Sequence, residues 1–390
     1  MFRMAVGHSD DIDLDTALES VFRECDVALD GALPRAGIIF GAWDIDHQAL
    51  VDAVREHYPG IEIAGATTAG EMSSVIGFSE DSVALAVFAT DSVEITAGIG
   101  GDLLADPAGA TARAVAMARA KATQPPRLCL VMPTVGGAEA GTIFEGLRAA
   151  LGPGVPIIGG GASPEDPAAP LGTTESRQLA NDEVTRDSIA ILLFSGDLDF
   201  SFGVETGWRG VGPLGVVTRT SPEGVLEIDG RPAIEFYSRY VGTGQPPIAN
   251  PLAVFEGGGS DRFYLRTPIN WDPETGRVGF FGVVPDGATV QITVAGTEQI
   301  FDGARASMQD ALAAFPAGKK PEAALVYSCA TRRFLLGTRV GREFEVVRDL
   351  LGTSIPIAGM YCLGEIAPMS TPDRTQFHNA TLVSVLLGAS

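Results

Sequence analysis

A chain of 390 residues exceeds what one hydrophobic core usually organises, so two or three packed α/β units are expected. Hydrophobic residues at 45% and charged ones at 19% exclude disorder and fibrous repeats. The 49 acidic residues against 27 basic ones give a net charge of -22, a field that repels phosphate backbones and anionic lipid headgroups. Nucleic acid and membrane surfaces are therefore poor partners. The opening stretch MFRMAVGHSDDID is a short apolar run followed by acids, unlike a secretory signal, and no apolar run reaches the roughly 20 residues of a membrane helix. The four cysteines, Cys25, Cys129, Cys329 and Cys362, lack CxxC spacing and sit in apolar or mixed segments, as reduced thiols of a cytoplasmic protein do.

In chain order, one pattern occurs three times. The first copy fills it with RMAVGHS, LDTALESVFRECDVAL, AGIIFGAW, HQALVDAVREHYPG, IEIAGATTAGE and DSVALAVFAT. The second uses VEITAGIG, ATARAVAMARAKA, RLCLVMPT, AGTIFEGLRAALG, VPIIGGGASPED and DSIAILLFSG. The third uses VQITVAG, FDGARASMQDALAAF, AALVYSC, GREFEVVRDLLG, IPIAGMYCLGE and ATLVSVLLG. The short Val- and Ile-rich runs bounded by glycine read as strands covered on both faces. The segments between them read as helices with one apolar stripe, for instance Phe344, Val347 and Leu351. The expected class is α/β: three related β-α-β-α-β units with Gly-rich turns, plus a mainly antiparallel β insertion before the last unit. The boundaries fall at 1–90 and 91–197 for the first two units, 198–289 for the β-rich connection, and 290–390 for the last unit. Within the connection, Arg231 to Tyr240 reads as a helix introduced by Asp229-Gly230.

The segments YSCATRR, MYCLGEIAP and FHNATLVSVLL occur in order in the third unit, and the chain there resembles the C-terminal domain of the FIST family. ATTAGEM, GGGASPED and ETGWRGVGPLGVVTRTSPEGVLEIDGRPAIEFY resemble its N-terminal half, so the similarity runs over roughly residues 30 to 387. The resemblance implies a bacterial sensory input domain for small ligands: amino acids in general, and haem in a branch that senses nitric oxide. For that branch it implies a histidine kinase or cyclic-di-GMP enzyme as partner.

Ligands of open α/β sheets gather beyond the carboxyl ends of strands, where each copy here has its Gly-rich turn. Gly70 with Glu71, Asp166, and Gly364 with Glu365 stand at equivalent places, each pairing backbone N–H groups with a carboxylate that suits an ammonium group. Glycine at positive φ with an acid capping its turn is the competing account. Cys329, Arg332 and Arg333 at one strand end, and His378 and Asn379 before the last strand, are expected to converge on Glu365. An arginine fork at 332 or 333 would take a ligand's carboxylate while Glu365 takes its amine. The alternatives are a surface salt bridge to the helix bearing Glu343 and Glu345 for the arginines, and backbone capping for Asn379.

His378 stands out among four histidines, because His47 and His57 lie in polar helical surroundings that suggest solvent and His8 ends the first strand. It is the metal ligand if haem binds, with Cys329 and Cys362 as further axial candidates; without CxxCH any haem is noncovalent. A hydrogen-bonded imidazole and a core-packed Cys362 are the plain alternatives. An enzyme would use Cys329 as nucleophile with His378 as base, but no GxSxG, HExxH or P-loop pattern is present, and the favoured reading is not an enzyme.

Overall fold

The computed structural model describes residues 1–135, 140–164, 175–257, 261–369 and 374–389. The first unit comprises β1 (Phe2–Ser9), α1 (Leu14–Leu29), β2 (Ala36–Gly41), α2 (His47–His57), β3 (Glu62–Thr67), β4 (Glu71–Ser73), β5 (Gly77–Ser79) and β6 (Val83–Thr90). The second has the same order: β7 (Val93–Gly101), α3 (Pro107–Arg119), β8 (Pro126–Pro133), α4 (Ala140–Leu151), β9 (Ile157–Gly160), β10 (Gln178–Ala180), β11 (Glu183–Thr185) and β12 (Ser188–Gly196).

The third unit begins with β13 (Leu198–Glu205), and the insertion follows it: β14 (Arg209–Ser221), β15 (Gly224–Ile228), β16 (Arg231–Pro232), α5 (Ala233–Val241), β17 (Leu252–Phe255), β18 (Phe263–Arg266), β19 (Pro268–Trp271), β20 (Val278–Phe280) and β21 (Thr289–Val294). The unit resumes with α6 (Thr297–Ala314), β22 (Ala323–Cys329), α7 (Ala330–Leu336), α8 (Gly341–Leu351), β23 (Ile357–Cys362), β24 (Glu365–Pro368), β25 (Thr375–His378) and β26 (Leu382–Ala389).

The insertion thus lies inside the third unit, and its first strand is β13, which pairs with β26. The VQITV run, expected to open that unit, is β21 of the inserted sheet, paired with β14 and β17. The reason is physical: β13 is an edge strand with only three of its eight residues fully buried, so it lacks the apolar run that marks the central strands. The inserted sheet runs β18-β17-β21-β14-β15-β20-β19. Its two edge strands are consecutive in the chain, joined through Thr267, so the sheet curls back on itself.

The three six-stranded sheets follow one plan, with an exchange between them. Unit one contributes the core order β1-β6-β2-β3, completed by the hairpin β10-β11 of unit two. Unit two's sheet is completed by β24-β25 of unit three, and unit three's by β4-β5 of unit one. The inner faces of all three sheets meet in a single core, where Phe40, Phe88, Phe194, Leu130, Tyr327 and Val385 pack together. Each outer face packs beneath its own helices, α1 and α2, α3 and α4, or α6 and α8. Asp13, Asp46 and Asp106 cap the first three helices by accepting N–H groups of the opening turn. A glycine at the sixth position of each leading strand lets the helix close in: a Cβ on Gly7, Gly98 or Gly203 would lie 2.1, 2.0 or 2.0 Å from a helix carbonyl.

Candidate functional site at the strand ends

The three Gly-rich turns interlock pairwise around one rim. Ser163 N–H donates to Thr67 O at 2.8 Å, and Thr67 Oγ1 donates to Ser163 O at 2.6 Å. Gly161 N–H donates to Gly364 O at 2.9 Å, and Leu363 N–H donates to Gly161 O at 2.9 Å. Ala69 N–H donates to Tyr361 O at 2.8 Å, and Tyr361 N–H donates to Gly70 O at 2.8 Å. Gly70 and Gly364 have φ of 124° and 86°, which glycine adopts without the Cβ penalty. Asp166 lies outside the described residues.

Glu71 and Glu365 follow those glycines and are fully buried. Each stands three residues after a small polar side chain, Thr68 or Cys362, and faces a hydroxyl just before the unit's last strand, Ser82 or Thr381. Thr68 Oγ1 and Ser82 Oγ donate to Glu71, the latter at 2.5 Å. Ser82 Oγ is also 2.8 Å from His8 Nε2, and His8 Nδ1 is 2.8 Å from Ser73 Oγ. With Glu71 ionised, the Ser82 proton is committed, so His8 Nε2 donates to Ser82 and Nδ1 accepts from Ser73. Burial holds His8 neutral by lowering its pKa to about 4.

At Glu365, Thr381 N–H donates at 3.0 Å, with Thr381 Oγ1 and Cys362 Sγ as further donors. Burial pushes both carboxyls up to about 7, against the hydrogen bonds that favour their ionised forms. Burial also pushes the Cys329 thiol, beside Glu365, up to about 12, and raises Cys362 likewise. The rim can therefore hold or release protons near neutral pH, but it does not generate a thiolate nucleophile.

The remaining expected residues are distributed differently. Arg332 is buried rather than at the surface, and its five N–H donors are all engaged: Nε and Nη2 meet Glu343 Oε1 at 2.8 and 2.7 Å, and the others go to Thr206 O, Ala380 O and Ile300 O. Glu343 also accepts from Ser328 Oγ and Tyr361 Oη. No donor of Arg332 is left for a ligand, so its expected role of holding a carboxylate is corrected to cementing α7, α8 and the start of α6. Arg333 is half-exposed and pairs with Glu80 at 2.6 Å, tying α7 to unit one.

His378 is buried with Nε2 3.0 Å from Ala367 O. Burial, with a smaller push from the neighbouring Arg266 charge, lowers its pKa to about 4. Asn379 accepts from Thr267 N–H at 2.8 Å and donates to His378 O at 2.8 Å. Thiol and imidazole thus have separate partners, so the Cys329–His378 pair required of an enzyme is not formed. An axial haem ligand needs a free imidazole or a thiolate, and His378, Cys329 and Cys362 as arranged do not fit that role. His47, expected in solvent, is buried and bonds Ala42 O at 2.9 Å.

Sequence reasoning missed His8, Ser82 and Thr381 as partners of the buried acids. Aligning the repeats on Gly65 and Gly359 would have found the two hydroxyls, since both precede the closing strand.

The class defined by this fold is a mixed α/β protein built from three like units. The chain belongs to the FIST family, whose domains are sensory, ligand-binding signalling domains: the FIST N domain matches residues 35–231 and the FIST C domain residues 233–368. An uncharacterised protein of Mycobacterium tuberculosis is 29% identical over 182 residues, covering 43% of this chain and 46% of that protein. One of Mycobacterium bovis is 26% identical over 189 residues, covering 46% and 48%. The chain thus spans about half the length of the curated relatives it matches. Among solved structures, a cyanuric acid hydrolase from A. caulinodans aligns over 100% of this chain and 99% of its own at 12% identity, with a TM-score of 0.38. A second cyanuric acid hydrolase structure aligns at 8% identity over 100% of both chains, with a TM-score of 0.34. Likenesses this weak carry no argument about activity. No helix among the described residues is long and apolar enough to cross a membrane.

Proposed function

We propose that this protein is a non-enzymatic cytoplasmic sensor that binds a small molecule at the rim of the Gly-rich turns and passes its occupancy to a signalling partner. A histidine kinase or a cyclic-di-GMP enzyme is the class of partner that kinship suggests. The observation that carries the reading is the pairwise interlocking of the three turns beside Glu71 and Glu365. A ligand that moves one turn strains its bonds to both others, and each turn ends a strand of a different sheet. Local occupancy is thereby coupled to a change felt by the whole molecule.

The test is a thermal-shift screen of small metabolites against the wild type, Glu71→Gln and Glu365→Gln. A compound that stabilises the wild type and loses at least tenfold in affinity in either variant supports the rim as the site. Stabilising compounds whose affinity ignores both variants would sink it. A haem titration followed by absorption belongs to the same experiment, with no Soret band dependent on His378 as the expected result. A band that shifts with nitric oxide and disappears in His378→Ala would restore haem as the ligand.

A further inference from the structure

Two arginines are buried among the described residues, and their surroundings differ in one respect. Arg332 has a carboxylate partner and an acceptor for every donor. Arg266, the last residue of β18, is 4% exposed and has no carboxylate partner among the described residues. Its Nε donates to Val283 O at 2.9 Å, and its Nη1 donates to Leu265 O and Phe377 O, both at 2.8 Å. The two N–H groups of Nη2 have no acceptor among the described residues.

The guanidinium lies 4.3 Å from the centre of the Tyr264 ring, and its basicity is lowered by burial only to about 10, so it is charged at neutral pH. A buried charge without a counter-charge is strongly disfavoured, and this chain has an excess of acids to supply one. None stands there. The adjoining groups are neutral: His378, whose imidazole burial keeps uncharged, and Asn379, whose amide accepts from Thr267 N–H and donates to His378 O. The Thr267 hydroxyl is also buried without a partner. Gly282 brings the backbone so close that a Cβ there would sit 2.9 Å from Arg266 Nε, which fixes the guanidinium from one side and leaves Nη2 as its free end.

We propose that Arg266 is an anion-binding residue, taking the carboxylate or phosphate oxygen of a small ligand end-on through Nη2, at the seam between the curled sheet and β25. This deepens the sensor reading and rests on it, because it assigns the sensed molecule an oxyanion. The site connects to the rim through one short segment: Asn379 holds the backbone beside Arg266, and Thr381, two residues on, holds Glu365.

The test titrates the full chain with sodium phosphate and, separately, with sodium succinate, against sodium chloride at matched ionic strength, and reads the thermal midpoint. A saturable rise with at least one oxyanion beyond chloride is expected. Its dissociation constant should increase about 10- to 100-fold in Arg266→Gln and stay unchanged in Arg239→Gln, an exposed arginine of α5. A response to phosphate alone assigns a phosphoryl ligand, and one to succinate alone a carboxylate. Should Arg266→Gln fail to fold, the same titrations on wild-type protein carrying 15N-arginine follow the two slowly exchanging buried Nε–H resonances, one of which is expected to move saturably. Equal midpoints in all three salts with both resonances still would overturn the proposal. A Glu71- or Glu365-dependent response to a neutral or cationic compound in the same protein would then leave the sensor reading standing without it.

Discussion

Glu365 is a fully buried carboxyl with no cation beside it among the described residues, and that decides how its stability contribution varies with pH. Its folded pKa of about 7 lies above the ordinary 4.5, so between those values the folded state keeps a proton that the unfolded state releases. Stability from this group therefore falls as pH rises through that window and levels off above 7, by about 3 kcal/mol in all. Glu365→Gln removes the titration, while the buried histidines, which act in the opposite sense below pH 6.5, are common to both proteins. Urea unfolding should find the variant about 2.5 kcal/mol better relative to wild type at pH 8 than at pH 5; an unchanged difference would mean that the carboxyl is solvated. Arg332 makes the complementary case. Arg332→Leu leaves Glu343 buried and unpaired, an expected loss of about 3–5 kcal/mol, and adding Glu343→Gln should recover part of it because no charge then remains. Equal denaturation midpoints for the single and double variants would show that the charge is not what matters. The acids of this rim were legible in the sequence as repeated Gly–Glu turns, whereas Arg266 was not, because nothing in FYLRTP distinguishes a buried arginine from an exposed one.

Elements repeat with the spacing that packing demands, and the leading strands are the clearest instance. Gly7, Gly98 and Gly203 occupy the same position and meet a carbonyl of the helix that follows. Gly203→Ala would set a Cβ 2.0 Å from Ser307 O, so α6 must retreat, at an expected cost of about 1–3 kcal/mol. A denaturation midpoint equal to wild type would show that the helix has slack. The repeat also explains what the sequence revealed about the elements. Central strands buried on both faces, such as AGIIFG and AALVYSC, and the helices between them stand out by continuous or periodic hydrophobicity. The edge strand β13 does not, so the sequence pattern points to VQITV in its place. The hairpins β4-β5, β10-β11 and β24-β25 have strands of only three or four residues, and their partners lie in other units. No local pattern records such a pairing, and the short helix α7 was hidden the same way, read as the tail of a strand.

At the scale of the whole molecule, each unit's hairpin completes another unit's sheet in a closed cycle, so no unit has a finished sheet of its own. The central core draws residues from all three sheets, and two units alone would leave the inner faces of β1 and β6, which lie against β26 and β23, open on one side. A fragment of residues 1–197 also carries β4 and β5 without the β23 edge on which they pair. It is expected to lack a cooperative thermal transition and to aggregate through that exposed apolar surface. Residues 198–390 supply both the missing sheet and the hairpin β24-β25 that pairs with β9, so co-expression of the two pieces should restore a soluble complex with a single transition. If the fragment instead melted cooperatively alone, the cycle of hairpins would be an ornament on independent units, and occupancy of one turn would have no mechanical route to the other two. If it folds only with its complement, the same bonds that make the units inseparable are the route by which a ligand at the rim reaches every sheet.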